Sequence, residues 1–320
     1  MIFDIYEFES FGQLYCYDIH SGAIFRSNSL LSSVMKYYSL DKKDIIKKLK
    51  IHYSAKEIIE TVQQVEQLEK SKVLHKKVLK YVTYDHANLV SLKKVYYENM
   101  SDNVREAYKK LQKKFHSKEG EIQLLQFVEI DKKISENVND KDRPLIKLNS
   151  FIEKWNNRCS NSYSNYEVDE VKKAVEALEI NVPDVKAELT DKDLYNKIPA
   201  LISLLRRIYQ KEKKIFPCHS GIDELVVDED GRFYNCIFHL KEGIEKKINE
   251  LGCLFSVFDL EKCRDCFARF HCGGYCHLKS KQKLELCDVF CRVFLLLIKI
   301  STYIADKEES LKEQIIGSNV

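Results

Sequence analysis

Nine of the eleven cysteines in this 320-residue chain fall between Cys218 and Cys291, and their spacing constrains it more than any other feature. Cys218 is followed after twelve residues by Gly231 and after four more by Cys236. Cys263, Cys266, Cys272 and Cys276 then run C-x2-C-x5-C-x3-C, with Cys287 beyond. Thiolates bind soft metals and iron–sulfur clusters, and ligands two or three residues apart converge on one centre from a single turn of chain.

A disulfide framework is the first rival. The opening Met-Ile-Phe-Asp-Ile-Tyr-Glu has neither a basic nor an apolar signal region, so the expectation is a cytoplasmic protein with reduced thiols. The most apolar stretch, Val289 to Ile300, carries Arg292 and Lys299 and is well short of the roughly 20 apolar residues of a membrane span, so it predicts a buried helix and no membrane partner. With 44% hydrophobic residues, 32% charged residues and a net charge of +3, nothing points to nucleic acid. The lysine-rich runs Lys42 to Lys50 and Lys109 to Lys114 have helical spacing among apolar residues and read as solvated helix faces.

Three regions follow along the chain. Residues 2–8 and 14–19 alternate bulky and polar side chains, and Ser21-Gly22 turns into a third strand, Ala23 to Arg26. Helices are predicted over Ser29–Tyr38, Lys42–Leu49 and Ser54–Glu69, the last opened by a capping box of Ser54 and Glu57. Three strands then three helices make residues 1–80 a winged-helix-like module. In residues 81–211, strands Val78–Tyr84 and Glu121–Ile130 alternate with helices Ser101–His116, Leu145–Asn157, Glu167–Leu178 and Asp191–Lys211, which predicts βα units and a partly parallel sheet. The strand at 121–130 reads as buried on both faces, and residues 156–165 read as a polar loop. In residues 212–320, Glu224–Asp228 and Arg232–Phe238 form a hairpin around Asp230-Gly231 that returns Cys236 towards Cys218. The fold class expected is a multidomain α+β and α/β chain with a small Cys-rich domain at its C-terminal end.

The seven positions Cys218, Cys236, Cys263, Cys266, Cys272, Cys276 and Cys287, with Gly231, resemble the SPASM domain behind the catalytic core of radical S-adenosylmethionine peptide maturases. The resemblance covers roughly residues 212 to 300 and implies two auxiliary [4Fe-4S] clusters. One takes Cys218, Cys236 and Cys276; the other takes Cys263, Cys266, Cys272 and Cys287. Residues Tyr17 to Phe25 (Tyr-Asp-Ile-His-Ser-Gly-Ala-Ile-Phe) are similar to the strand-turn-strand of the peptide-recognition element fused to such maturases, whose fold is that of the small chaperone of pyrroloquinoline quinone synthesis. That likeness implies that a precursor leader peptide adds as a strand beside Ala23, Ile24, Phe25 and Arg26 and against the helix from Ser54 to Glu69.

A radical S-adenosylmethionine core needs a C-x3-C-x2-C triplet, and none precedes Cys218. The nearest counterpart, Tyr84 to Lys94, has Ala87, Ser91 and Lys94 at the three ligand positions, and no Gly-Gly-Glu-Pro type loop is present. The middle region thus resembles a shortened core that uses no S-adenosylmethionine.

Zinc, closing one tetrahedral site on Cys263, Cys266, Cys272 and Cys276, is the alternative to iron–sulfur. Cys253 and Cys291 are possible further ligands, Cys291 lying one helical turn after Cys287, whereas Cys16 and Cys159 read as incidental thiols. His219, His239, His271 and His277 read as hydrogen-bonding neighbours of the ligands, and Tyr84, Asp85 and His86 do not read as a catalytic cluster. No catalytic residue emerges. The function that follows is an accessory protein of ribosomal peptide maturation that binds a leader peptide and carries clusters as electron relay, scaffold or thiol anchor. The alternatives are a subunit of a complex with a complete radical S-adenosylmethionine maturase, a zinc scaffold, and an inert truncated maturase.

Overall fold

The structure is a computed structural model that describes residues 3–77, 92–115, 122–126, 143–156, 165–180, 182–213, 224–248, 250, 261–273 and 283–317. It is a mixed α and β fold with two small sheets. The first sheet is antiparallel, in the order β1 (Ile5–Ser10), β2 (Gln13–Asp18), β3 (Ile24–Arg26). A two-residue turn joins β1 to β2, with Ser10 opposite Gln13 and both Phe11 and Gly12 at positive φ (53° and 70°), the backbone that matches strand twist. Three helices follow, α1 (Ser29–Tyr37), α2 (Lys42–Leu49) and α3 (Ala55–Lys70), capped by Asn28, Asp41 and Ser54. The Ser54 side chain and Glu57 form the reciprocal capping box that the sequence predicts.

Alternation along the strands divides the sheet between two cores. Cys16 faces α1, α2 and α3 and joins Leu31, Met35, Ile58 and Val62. Its neighbours Tyr15 and Tyr17, with Phe8, face the opposite way into a larger core built by helices from later in the chain. Fully buried Asp18 closes the module by accepting the backbone N–H groups of Ser21 (2.6 Å) and His75 (2.7 Å).

The second sheet has the order β5 (Gln123–Gln126), β4 (Lys94–Tyr97), β6 (Glu224–Val227), β7 (Phe233–Tyr234). Strand β4 is parallel to both β5 and β6, and β7 is antiparallel to β6. Helix α4 (Asp102–Lys114) connects β4 to β5 and packs Val104, Ala107 and Leu111 on Val95, Leu225 and Val227. The expected β–α alternation and parallel pairing are therefore present. Strand β5 differs from expectation in burial: it is the sheet edge, so Leu124 and Leu125 are half-buried and Gln123 and Gln126 exposed. Strand β4, which the sequence reading did not anticipate, is flanked on both sides, by β5 and β6. The expected strand Val78–Tyr84 and the rest of residues 121–130 lie outside the described residues.

The larger core is helical: α5 (Pro144–Asn156), α6 (Asn165–Ile180), α7 (Val182–Thr190), α8 (Lys192–Lys197) and α9 (Pro199–Tyr209) and, beyond a short α10 (Ile237–Lys241) that lies beside β7, the short α11 (Glu261–Arg264) and α12 (Arg269–Cys272), and finally α13 (Lys283–Lys307) and α14 (Glu309–Gly317). The single helix expected over Asp191–Lys211 is two, because Ile198 before Pro199 leaves helical geometry (φ −121°, ψ 46°). The apolar run Val289–Ile300 lies inside α13 and is buried by Phe151, Trp155 and Leu205 among others. Among the described residues no helix is long and apolar enough to cross a membrane.

Candidate metal centre

Five cysteine thiols lie on α11, the turn after it, α12 and α13, beside the first sheet. Cys263 is in α11, Cys266 follows in a turn whose amide bonds back to Cys263 (3.2 Å), and Cys272 ends α12, which is terminated by Gly273 in the left-handed conformation (φ 73°). Cys287 and Cys291 are one turn apart on α13. The sulfur of Cys291 is 3.6 Å from that of Cys266. All five are buried or half-buried.

Each thiol feels the others. Burial pushes the Cys263 and Cys287 thiols up to about 12, reinforced in both by the charges of Cys272 and Cys266. The hydrogen bond between Cys291 and Cys266 lowers Cys266 to about 7, and the same bond, with burial, raises Cys291. The pair is thus asymmetric, with Cys266 the more acidic of the two thiols.

The wall of this site is the N-terminal sheet. Tyr6 stacks on Phe267 (4.0 Å between centroids, 14° between planes), and Tyr17, directly opposite Tyr6 in the β1–β2 register, lies beside His271 and Phe294 (6.3 and 6.0 Å). Arg269 is buried and forms an ion pair with buried Asp4, while also donating to the carbonyls of Arg264 (3.0 Å) and Cys266 (3.3 Å). The hydroxyl of Tyr17, Nε of Arg269 and Nδ1 of His271 are buried with no hydrogen-bond partner among the described residues.

The donor set is soft: five thiols with no carboxylate among them. A single zinc with Zn–S bonds of about 2.3 Å would draw tetrahedral sulfurs to roughly 3.8 Å of one another. The Cys266–Cys291 pair has that spacing, yet among the described residues no group of three or more Cys, His, Asp or Glu side chains is arranged to hold a metal ion. A multi-iron cluster carries its thiolates on different irons, so its sulfurs stand farther apart than those around one zinc.

Of the sequence-predicted ligands, Cys263, Cys266, Cys272 and Cys287, with the possible further ligand Cys291, lie within electrostatic reach of one another. Cys236 stands half-buried between β7 and α10. Cys218, Cys253 and Cys276, with Cys159, His219 and His277, lie outside the described residues. Cys16 is a buried thiol, pushed up to about 12 by burial, in the core of the N-terminal helices. His239 is buried on α10, and His271 stacks on Phe294 at 4.7 Å, its pKa lowered to about 3 by burial and then by Arg207. Of the residues at the three positions compared with the cluster triplet, Ala87 and Ser91 lie outside the described residues; Lys94 opens β4 and pairs with Glu224 (3.2 Å).

At the expected peptide edge, Ala23 is buried, Ile24 and Phe25 are half-buried and Arg26 is exposed. Among the described residues β3 pairs only with β2, which leaves its outer edge open. Arg26 is held at that edge by Asp306 of α13 (2.8 Å), which also accepts from Tyr15 (2.8 Å). Sequence reasoning missed Asp4, Tyr6, Tyr17 and Arg269. The Tyr-x-Phe and Tyr-x-Tyr alternation of β1 and β2 is a visible signal of one aromatic sheet face, but the partner of that face is set by contacts distant in sequence. No protein-family model matches the chain, and neither does any curated protein.

Proposed function

We propose that this chain is an iron–sulfur accessory protein of ribosomal peptide maturation, which binds a precursor leader peptide at its N-terminal element and carries two [4Fe-4S] clusters without radical S-adenosylmethionine chemistry of its own. The observation that carries the reading is that Cys263, Cys266, Cys272 and Cys287, from α11, the turn after it, α12 and α13, are buried or half-buried and within electrostatic reach of one another. These four would hold the second cluster; Cys218, Cys236 and Cys276 are the proposed ligands of the first. When bound, such clusters supply one-electron transfer or, at an iron with a vacant position, a Lewis acid for a thiolate.

The protein's own part is positional. Burial disfavours free thiolates at Cys263 and Cys287, so metal loading must displace protons there, and the aromatic wall of Tyr6, Phe267 and Phe294 keeps water away. A leader peptide in extended form would add to the open edge of β3, its main chain bonding to Ile24–Arg26. The winged-helix-like and SPASM-like readings of the two ends belong to this proposal.

The test is titration of a candidate precursor peptide, encoded beside the gene, into the full iron-loaded chain, with an Ile24→Pro variant as control. Binding at micromolar affinity or tighter, about 8 kcal/mol or more, that is lost in the variant supports the reading. No binding to the folded wild-type chain removes the peptide-recognition part of it. Incubation with reductant and S-adenosylmethionine should yield no 5′-deoxyadenosine; production by the purified chain would overturn the accessory role.

A further inference from the structure

The deepest unexplained feature of the site is on the sheet rather than among the cysteines. Tyr17 is 1% exposed, and its hydroxyl has no hydrogen-bond partner among the described residues. Native proteins rarely leave a buried hydroxyl unsatisfied, because its bond to water is lost and nothing replaces it. Two further buried atoms near it are also without partners: Nε of Arg269, which can only donate, and Nδ1 of His271, whose role is set by its tautomer. Unsatisfied buried donors beside a group of thiols point to an acceptor that is not protein.

We propose that the Tyr17 hydroxyl, presented by the N-terminal sheet, donates a hydrogen bond to a sulfur of the cluster held by Cys263, Cys266, Cys272 and Cys287 and thereby raises that cluster's reduction potential. The inference rests on the iron–sulfur reading above. Geometry supports it in three ways. Tyr17 faces the larger core with Tyr6, its cross-strand partner, whose ring covers Phe267, the residue next to Cys266. Its ring is flanked by His271, the residue before Cys272, and by Phe294, which lies one turn beyond Cys291 on α13. The buried ion pair of Asp4 with Arg269 clamps the same strand region to α12, so the sheet is fixed against the thiols rather than merely near them.

Electrostatics agree with a donor role. Burial, and then the charge of Asp18, raises the Tyr17 phenol above its ordinary range, so it stays protonated, and the charges of Arg269, Asp4 and Cys266 all reach it. A cluster with four thiolate ligands is anionic and becomes more so on reduction. Hydrogen bonds to its sulfurs stabilise the reduced form more than the oxidised one, which is how proteins tune such potentials. The N-terminal module would thus be part of the cluster's shell as well as a peptide-recognition element.

The experiment compares the full chain with its Tyr17→Phe and Tyr15→Phe variants, before and after anaerobic loading with iron and sulfide. Tyr15 is on the same strand, but its hydroxyl already donates to Asp306 (2.8 Å). Tyr17→Phe is expected to melt no lower than wild type before loading, to take up the same iron and sulfide, and to shift the potential of one cluster to a more negative value with a changed electron paramagnetic resonance signal. Tyr15→Phe is expected to do the reverse, melting lower while leaving both potentials in place. A loaded Tyr17→Phe protein with wild-type potentials overturns the inference alone, as does a drop in its unloaded melting temperature matching that of Tyr15→Phe, since the hydroxyl would then have a protein partner. A wild-type chain that takes up no iron and sulfide overturns the iron–sulfur reading, and the inference with it.

Discussion

Cys266 and Cys291, separated by 25 residues, bring their sulfurs within 3.6 Å, one from the turn after α11 and the other from α13. The hydrogen bond makes Cys266 the more acidic partner and Cys291 the thiol that donates to it. On the proposed iron–sulfur reading, Cys266 is the ligand and Cys291 its hydrogen-bond partner. Cys266→Ala should therefore lose about half of the iron bound by a chain with two four-iron clusters, whereas Cys291→Ala should keep nearly all of it. Iron and sulfide counting on the two variants checks this, and an equal loss from both would make Cys291 a ligand.

The buried pair of Asp4 and Arg269 joins the entry to β1 with α12. Removing one member of a buried pair leaves the other charge unsolvated, a cost of about 3–5 kcal/mol. Asp4→Asn should destabilise the unloaded chain by that amount and increase hydrogen exchange in both β1 and α12. Faster exchange confined to β1 would show that the pair does not couple the two elements.

His271 gives stability a pH dependence of known sign. Burial, then the charge of Arg207, lowers its folded pKa to about 3, against roughly 6.5 in the unfolded chain. Below 6.5 the unfolded state binds a proton that the folded state refuses, so stability falls as the pH drops from about 6.5 towards 3. Between pH 7 and pH 5 the His271 contribution to this loss is about 2 kcal/mol. Denaturant titrations of wild type and His271→Phe should show that increment in the first and not in the second.

Gly231 adopts φ +80°, and a Cβ there would lie 2.9 Å from the carbonyl oxygen of Asn103. Gly231→Ala should thus cost about 1–3 kcal/mol, measured as a shift in the denaturation midpoint, by prying the β6–β7 hairpin from the start of α4. A neutral effect would mean that the hairpin is not docked there.

Much of the local structure is legible in the sequence because its signals are local. Ser54 and Glu57 mark the start of α3 by themselves, and Asp230-Gly231 marks its turn. Pro199 also carried the signal that divides α8 from α9, but continuous apolar periodicity on both sides of it masked the break. Strand β4 was not legible: its four residues become a central strand only by pairing with Glu224–Val227, far along the chain. The same holds for the site wall. Alternation shows that Tyr15 and Tyr17 share a face, yet it is Arg269, 265 residues after Asp4, that determines what the face covers.

The central claim is that the thiols hold iron and sulfide. The most direct measurement is anaerobic counting of iron, acid-labile sulfide and zinc on the purified full chain, after loading with all three available. The account predicts iron and sulfide in equal amounts, about eight of each per chain for two four-iron clusters, with negligible zinc. Zinc bound without sulfide, or a chain that folds and binds neither metal, would contradict it.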